Sequence, residues 1–159
     1  MSLDSDIALL KSIPLFDELP TEQLRLLAFS AVRLELAEGQ VLFREGTKAT
    51  SGYVVSSGRV ELTVGSGEKQ RLVATCEAGS LIGEIALFIE TRRQATGIAV
   101  SRGEVLEVER KVFLRMLNEY PHVAMQVRKT LSNRLTATVS ELDRVRKALM
   151  GISGPERRR

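Results

Sequence analysis

The sequence predicts a mainly β fold, a small antiparallel barrel or jelly roll, with helices at both ends of the chain. Between about residues 31 and 109, apolar and polar residues alternate, which is the spacing of half-buried strands. Glycines recur through this segment and divide it into short pieces. On either side of it, apolar residues recur every three or four positions, which is helical spacing. Many short strands separated by turn residues are typical of small barrels and jelly rolls.

Residues 1–30 are expected to form a small helical bundle. Ile7 and Leu10 have helical spacing, and a second helix is expected to begin at Pro20 and Thr21. Leu15 and the residues around it form an apolar corner between the two helices. These are short helices, each with one apolar face.

The strand segment, residues 31–109, is defined by apolar residues with a period of two. Those residues are Val32, Leu34, Leu36, Val41, Phe43, Val60, Leu62, Val64, Leu72, Ala74, Cys76, Val105 or Leu106, and Val108. Since side chains of a strand alternate between two faces, this spacing predicts a series of short strands.

Helical spacing returns in residues 110–149. A short helix is expected over Lys111 to Glu119, and Pro121 starts a long amphipathic helix that ends before Gly151. Its apolar positions step by three and four residues over about two heptads: Leu135, Thr138, Leu142, Val145 and Leu149. Such a seam is equally compatible with a homodimer contact and with packing of the helix on its own barrel. Residues 150–159 are expected to be a flexible basic tail.

Composition excludes several classes of protein. The chain has 159 residues with 43% hydrophobic and 27% charged residues, the ordinary range for one globular domain. No apolar run approaches the roughly 20 residues that span a bilayer. Cys76 is the only cysteine and His122 the only histidine, which argues against disulfides, a zinc site and histidine-based catalysis. We therefore expect a cytoplasmic protein that is not an enzyme and has no cofactor, metal or membrane segment.

The charge is distributed unevenly along the chain. Residues 110–159 contain twelve Lys and Arg against four Asp and Glu, whereas the first 109 residues carry a net charge of −5. A basic arm can bind nucleic acid, but no aromatic residue follows Tyr120 to stack on bases. A solvated helix face is the favoured interpretation, and we expect no DNA-binding module in this chain.

One segment within the strand region, residues 79–96, does not alternate. Gly83 is followed by Glu84, Ile85, Ala86, Leu87 and Phe88, which predicts a glycine bend leading into about one and a half turns of helix. The start of a helix offers unpaired backbone N–H groups, which favour an anion. Arg93 lies one loop away, and its guanidinium fork fits two phosphate oxygens. The segment therefore predicts a site for a singly charged phosphate.

The residues of this segment resemble the cyclic nucleotide-binding domain family. The resemblance rests on the string GEIALFIETRRQAT, on VVSSGRVEL with Gly58, on LFREG with Gly46, and on PLFDELP. It covers roughly residues 10–149. It implies an eight-stranded antiparallel β-roll, a double-stranded β-helix or jelly roll, with an N-terminal helical bundle and C-terminal lid helices.

In that family the segment is the phosphate-binding cassette for the cyclic phosphate and ribose of cAMP or cGMP. The resemblance implies that Gly83 and the amides of Ile85 and Ala86 hold the phosphate, and that Glu84 accepts the ribose 2′-hydroxyl. Arg93 would pair with an exocyclic phosphate oxygen, while Arg92 would be solvated. Gln94 and Ala95 would add donors, although the family often has a small residue where this chain has Gln94.

The resemblance also implies where the purine lies. Leu62, Ala74 and Cys76 are candidates for the base pocket, and their alternative role is ordinary core packing. The stretch from Arg128 to Arg134 is similar to the lid of related channel domains, which points to Arg134 as an Arg that stacks on the base. A solvated charge or a dimer salt bridge is an equally good interpretation of Arg134.

The expected function is a regulatory module that binds a cyclic nucleotide, cAMP in preference to cGMP, and closes a C-terminal helix over it. Its downstream effector is unknown. The alternative is a ligand-free domain in which Glu84 and Arg93 pair with each other. That domain would act as a dimerising scaffold through Leu135, Leu142, Val145 and Leu149.

Overall fold

The computed structural model describes residues 2–17, 19–125, 127 and 143–149. The helices are α1 (Leu3–Lys11), α2 (Thr21–Ser30) and α3 (Arg110–Glu119), and residues 121–125 and 143–149 are also helical. The strands are β1 (Val32–Leu36), β2 (Val41–Phe43), β3 (Lys48–Ala49), β4 (Ser51–Ser57), β5 (Val60–Val64), β6 (Arg71–Cys76), β7 (Leu81–Ile82), β8 (Thr91–Arg92), β9 (Thr96–Ala99) and β10 (Gly103–Glu109). Two short 3-10 helices lie at Gly67–Lys69 and Glu84–Leu87.

The two N-terminal helices begin at residues suited to helix starts. The Ser2 side chain accepts a hydrogen bond from the Ser5 amide, and the Ser5 hydroxyl occupies the reciprocal position of a capping box. Pro20 precedes α2, where its missing N–H costs nothing. Both helices therefore lie where the apolar spacing predicts them.

All the strands pair antiparallel. One sheet has the order β1-β10-β4-β7 and the other β2-β9-β5-β6, while β3 pairs with β8 alone. The predicted class, antiparallel β with flanking helices, is confirmed. The described residues contain ten strands where eight were expected, because the pair β3 and β8 adds two strands of two residues each.

Two apolar clusters stabilise the fold. The smaller cluster lies between the sheets and contains residues of both, among them Val55, Val60 and Ala99. The larger cluster lies between the roll and the helices, and it includes Val54 and Phe113. Strand β4 separates the two clusters, since Val54 and Val55 point to opposite sides.

The helical residues 143–149 pack on the chain itself. Val145 and Leu149 are buried in the larger cluster. These two side chains are therefore occupied within the chain, which favours self-packing over the dimer seam at this end of the helix. Leu135 and Leu142 lie outside the described residues, and the predicted homodimer remains a prediction. Within the described part of the chain, no helix is both long and apolar enough to cross a bilayer.

Candidate phosphate-binding site

The backbone of the cassette bends at Gly83. This residue has φ +82°, the left-handed region that glycine adopts without strain, and the 3-10 helix Glu84–Leu87 follows it. The Ala86 amide donates to the Gly83 carbonyl at 3.1 Å. A Cβ placed on Gly83 would lie 2.6 Å from Nη1 of Arg93. Glycine is required here both for the bend and for the approach of the guanidinium.

A pocket of about 260 Å³ opens beside this bend. It is lined by Phe43, Ala49, Ile82, Gly83, Glu84, Ile85, Ala86, Thr91, Arg92, Arg93 and Gln94. Six of the seven residues expected at the cyclic phosphate and ribose thus line one cavity. The seventh, Ala95, is buried next to them and does not line the cavity.

Arg93 is the buried cation of this pocket, with 7% of its surface exposed. Its guanidinium carbon lies 4.6 Å from the ring centre of Phe43 and 5.2 Å from that of Tyr53. Nη2 donates a long hydrogen bond of 3.4 Å to the Ser51 hydroxyl. Nη1 is buried without a hydrogen-bond partner among the described residues, and hence donates no hydrogen bond to Glu84. A buried N–H of a cation without a partner is costly, so this atom is ready to bind an anion.

The Arg93 cation is affected both by burial and by its neighbours. Burial lowers the pKa of Arg93 from its ordinary value, and the nearby Tyr53 and Glu107 oppose that shift. Burial also raises the pKa of Tyr53, so this phenol is neutral at pH 7. An anion in the pocket would offset the cost of burying the guanidinium.

The adjacent arginine has a different environment. Arg92 is exposed, as the sequence predicts, and its Nη1 donates to the Gly46 carbonyl at 2.9 Å. Its side chain contributes to the wall of the pocket while its charge faces solvent. The structure therefore separates the two neighbouring arginines into one buried and one exposed cation.

The expected base-pocket residues lie on another part of the roll. Leu62 on β5 pairs with Ala74 on β6, and Leu62 and Cys76 pack half-buried against the cluster between the sheets. None of the three lines the phosphate pocket. Arg134 lies outside the described residues. The position of the purine therefore remains a prediction.

Several residues of the site had no signal in the sequence. Ser51 and Tyr53 are on β4, whose first five residues are all buried, so the strand shows no alternation. Glu107 is one of many acids in the chain, and only the pairing of β10 with β4 brings it to Ser51. The spacing of the strands predicts Phe43 as an apolar strand residue, and the side chain does pack against the smaller cluster. Its ring also forms a cation–π contact with Arg93, which the sequence does not predict.

Arg110, the first residue of α3, connects this helix to the cassette. Its Nη1 donates to the carbonyl oxygens of Ala49, Ala86 and Ile89 at 3.2, 3.4 and 2.9 Å. Arg144 makes a similar connection from the C-terminal helix, donating to the Glu90 carbonyl at 2.6 Å. Both helices that follow the roll are therefore hydrogen-bonded to the cassette.

Comparison of the sequence with known protein families identifies the family of this chain. The profile of the cyclic nucleotide-binding domain matches residues 33–120, which is more than half of the chain. The chain belongs to the cyclic nucleotide-binding domain family.

Three relatives show how much of the chain matches individual proteins. The Cyclic AMP receptor protein of Thermus thermophilus is 32% identical over 135 residues, which are 84% of this chain and 62% of that protein. A cyclic nucleotide-binding-like protein from Brucella abortus is 38% identical, with TM-score 0.66, over 72% of this chain and 98% of that one. The N-terminal domain of a transcriptional regulator from Streptomyces coelicolor is 33% identical, with TM-score 0.73, over 79% and 89%. The chain thus spans about three fifths of the Thermus protein and nearly all of the two compared domains.

Proposed function

We propose that this chain is a cAMP-binding regulatory module. The observation that carries the proposal is Nη1 of Arg93, a buried N–H without a hydrogen-bond partner among the described residues, which lies against Gly83 at a pocket of about 260 Å³. A cyclic phosphate would supply the missing acceptor and the negative charge. The choice of cAMP over cGMP is supported by the relative from Thermus thermophilus, whose name is Cyclic AMP receptor protein.

Isothermal titration of the nucleotide-free protein with cAMP and with cGMP tests the proposal. We expect one-to-one binding with micromolar or tighter Kd for cAMP and weaker binding for cGMP. Arg93→Ala should weaken cAMP binding by about 1.5–3 kcal/mol, which is roughly tenfold to a hundredfold, because it removes a charge-assisted bond. Arg92→Ala is the matched control, since it removes the same charge at the exposed neighbour, and it should change Kd by less than about threefold. Equal effects of the two variants, or no binding of either nucleotide by the native protein, would reject the proposal.

The proposal includes closure of the C-terminal helix over the ligand. Its support is the pair of contacts from Arg110 and Arg144 to the cassette carbonyls, since a displaced cassette would pull on both helices. Closure requires that the ligand bind one conformation better than the other. We expect cAMP to slow amide hydrogen exchange in residues 143–149, and Arg144→Ala to reduce that protection. Identical exchange with and without cAMP would argue against closure.

We further propose that the module binds its ligand without chemistry and acts in the cytoplasm. A guanidinium can hold a phosphodiester by charge-assisted hydrogen bonds without any covalent bond being made or broken. Cys76 is a free thiol, which suits a reducing compartment. Chromatography of cAMP after prolonged incubation with the protein should recover it unchanged. Its conversion to 5′-AMP, absent from the Arg93→Ala variant, would instead identify an enzyme.

A further inference from the structure

A chain of three side chains runs from the pocket into β10. Nη2 of Arg93 donates to the Ser51 hydroxyl at 3.4 Å, and the same hydroxyl donates to Oε2 of Glu107 at 2.6 Å. A serine hydroxyl can accept one hydrogen bond and donate another, so the two bonds form together. Glu107 is thereby connected through Ser51 to Nη2 of Arg93, whereas Nη1 of the same guanidinium has no hydrogen-bond partner among the described residues.

The chain determines how the buried cation is balanced in the absence of a ligand. Phe43 and Tyr53 present neutral aromatic faces to the guanidinium. Glu107 is the carboxylate whose charge opposes the effect of burial on Arg93. Two further ionisable residues line the pocket, Glu84 and Arg92, and they carry opposite charges. Counted together with Arg93 itself, these side chains are therefore close to neutral before any anion binds.

We propose that Glu107, acting through Ser51, makes the pocket selective for a monoanionic phosphodiester over a dianionic phosphomonoester. This inference rests on the proposed function. The first negative charge of a ligand satisfies Nη1 of Arg93. A second charge would have no further buried cation among the described residues of the pocket to pair with. It would be repelled by Glu107, which the Ser51 hydroxyl links to the guanidinium. Glu107 is a specificity-determining residue that need not touch the ligand.

The ligands cAMP and 5′-AMP provide the test, because they share base and ribose and differ by one charge at pH 7.5. Glu107→Gln should strengthen binding of cAMP by about fivefold and of 5′-AMP by about 25-fold, since each ligand charge escapes the same repulsion. The Kd for 5′-AMP divided by the Kd for cAMP should therefore fall by about fivefold. The same variant should lower the melting temperature of the ligand-free protein, because the buried cation loses its counter-charge.

Glu109→Gln is the matched control. Glu109 lies on the same strand, opposite Ser51 in the pairing of β10 with β4, and it is exposed. Its substitution changes the net charge by the same amount and should leave both Kd values within about twofold, because exposed charges are screened.

The opposite signs of the two effects distinguish this role from a merely structural one. If Glu107 only held the site in shape, Glu107→Gln would weaken both ligands along with stability, and the inference would be rejected. An unchanged ratio of Kd values would also reject it, while leaving cAMP binding by the native protein and hence the proposed function intact. Absence of cAMP binding by the native protein would reject both. If the Gln variant does not fold, Glu107→Ala, which admits water to Ser51, should lower the same ratio.

Discussion

Two groups of aromatic residues illustrate two different uses of a buried ring in this domain. Phe113 meets Phe16 and Phe88 edge-on, at ring-centre distances of 5.7 and 5.5 Å, inside the cluster between the roll and the helices. Phe43 and Tyr53 are instead stacked, at 5.7 Å and 20°, and a guanidinium lies close to both rings. The first group buries only apolar surface. The second holds a cation whose bonding is incomplete.

The difference shows which aromatic group stabilises the fold and which group provides binding energy for a ligand. Edge-on rings contribute through burial and quadrupole contacts that are complete in the free protein. The Arg93 group leaves one buried N–H without a partner among the described residues, so part of its stabilisation is available only when an anion binds. Substitutions in the first group should change folding, and substitutions in the second should change binding.

Phe113→Ala should have the largest effect on stability. The side chain is fully buried, so its removal leaves a cavity and should lower the free energy of unfolding by about 3–5 kcal/mol. Urea denaturation measures the change, and cAMP affinity of the folded fraction should be unaffected. Phe29→Ala is the control, since Phe29 is 80% exposed and its loss should change stability by less than about 0.5 kcal/mol. Similar losses from both variants would contradict the assignment of Phe113 to the core.

Gly83→Ala, compared with Gly39→Ala, should separate the effect of backbone strain from the effect of a Cβ that contacts Arg93. Alanine at φ +82° costs about 1–2 kcal/mol of stability, and its Cβ would displace Nη1 of Arg93, so cAMP affinity should fall by on the order of tenfold or more. Gly39 has a similar φ of +87°, and a Cβ placed on it would meet no atom of the described residues within 4 Å. Gly39→Ala should therefore lose similar stability in urea denaturation and bind cAMP normally in titration calorimetry. Normal binding by Gly83→Ala would show that the approach of Arg93 to Gly83 is dispensable.

How far the sequence predicts these two regions depends on how local the signal is. The bend at Gly83 is predicted because glycine before a short apolar run has a local meaning, and the structure places it at φ +82°. Strands β5 and β6 are predicted because their residues alternate. Strand β4 is missed because it is covered on both faces, by the roll interior and by the helices, which removes the alternation.

The site itself is predicted only where it is contiguous in sequence. The resemblance to a family selects Arg93 over Arg92, and the structure buries the first and exposes the second. The bond between Ser51 and Glu107 spans 56 positions and depends on the register of β4 with β10. Such a contact has no local signature, so neither residue could be assigned to the site from the sequence.

Arg110→Ala should reveal whether the apolar cluster and the site are coupled. Arg110 bonds three carbonyl oxygens, two of them in the cassette, and it begins the helix that carries Phe113. Loss of these bonds should lower the free energy of unfolding by about 1–2 kcal/mol and abolish any slowing of hydrogen exchange in α3 by cAMP. Lys111→Ala, at the exposed neighbouring position, should preserve both. Retained protection of α3 in Arg110→Ala would mean that the cassette and the helix respond independently.

Cys76 offers the smallest effect and tests how far the ligand extends from the Arg93 group into the roll. Burial raises the pKa of this half-buried thiol, so its alkylation by iodoacetamide should be slow at pH 7 and should increase with pH through a midpoint above that of a free thiol. If the purine of cAMP lies against Leu62 and Cys76, cAMP should slow alkylation by about threefold or more, whereas inorganic phosphate, which lacks a base, should not. Mass spectrometry measures the rate, and an equal rate with and without saturating cAMP would place the purine away from β6. The comparison between cAMP and phosphate then separates the phosphate pocket, which the geometry defines, from the base pocket, which only the family resemblance implies.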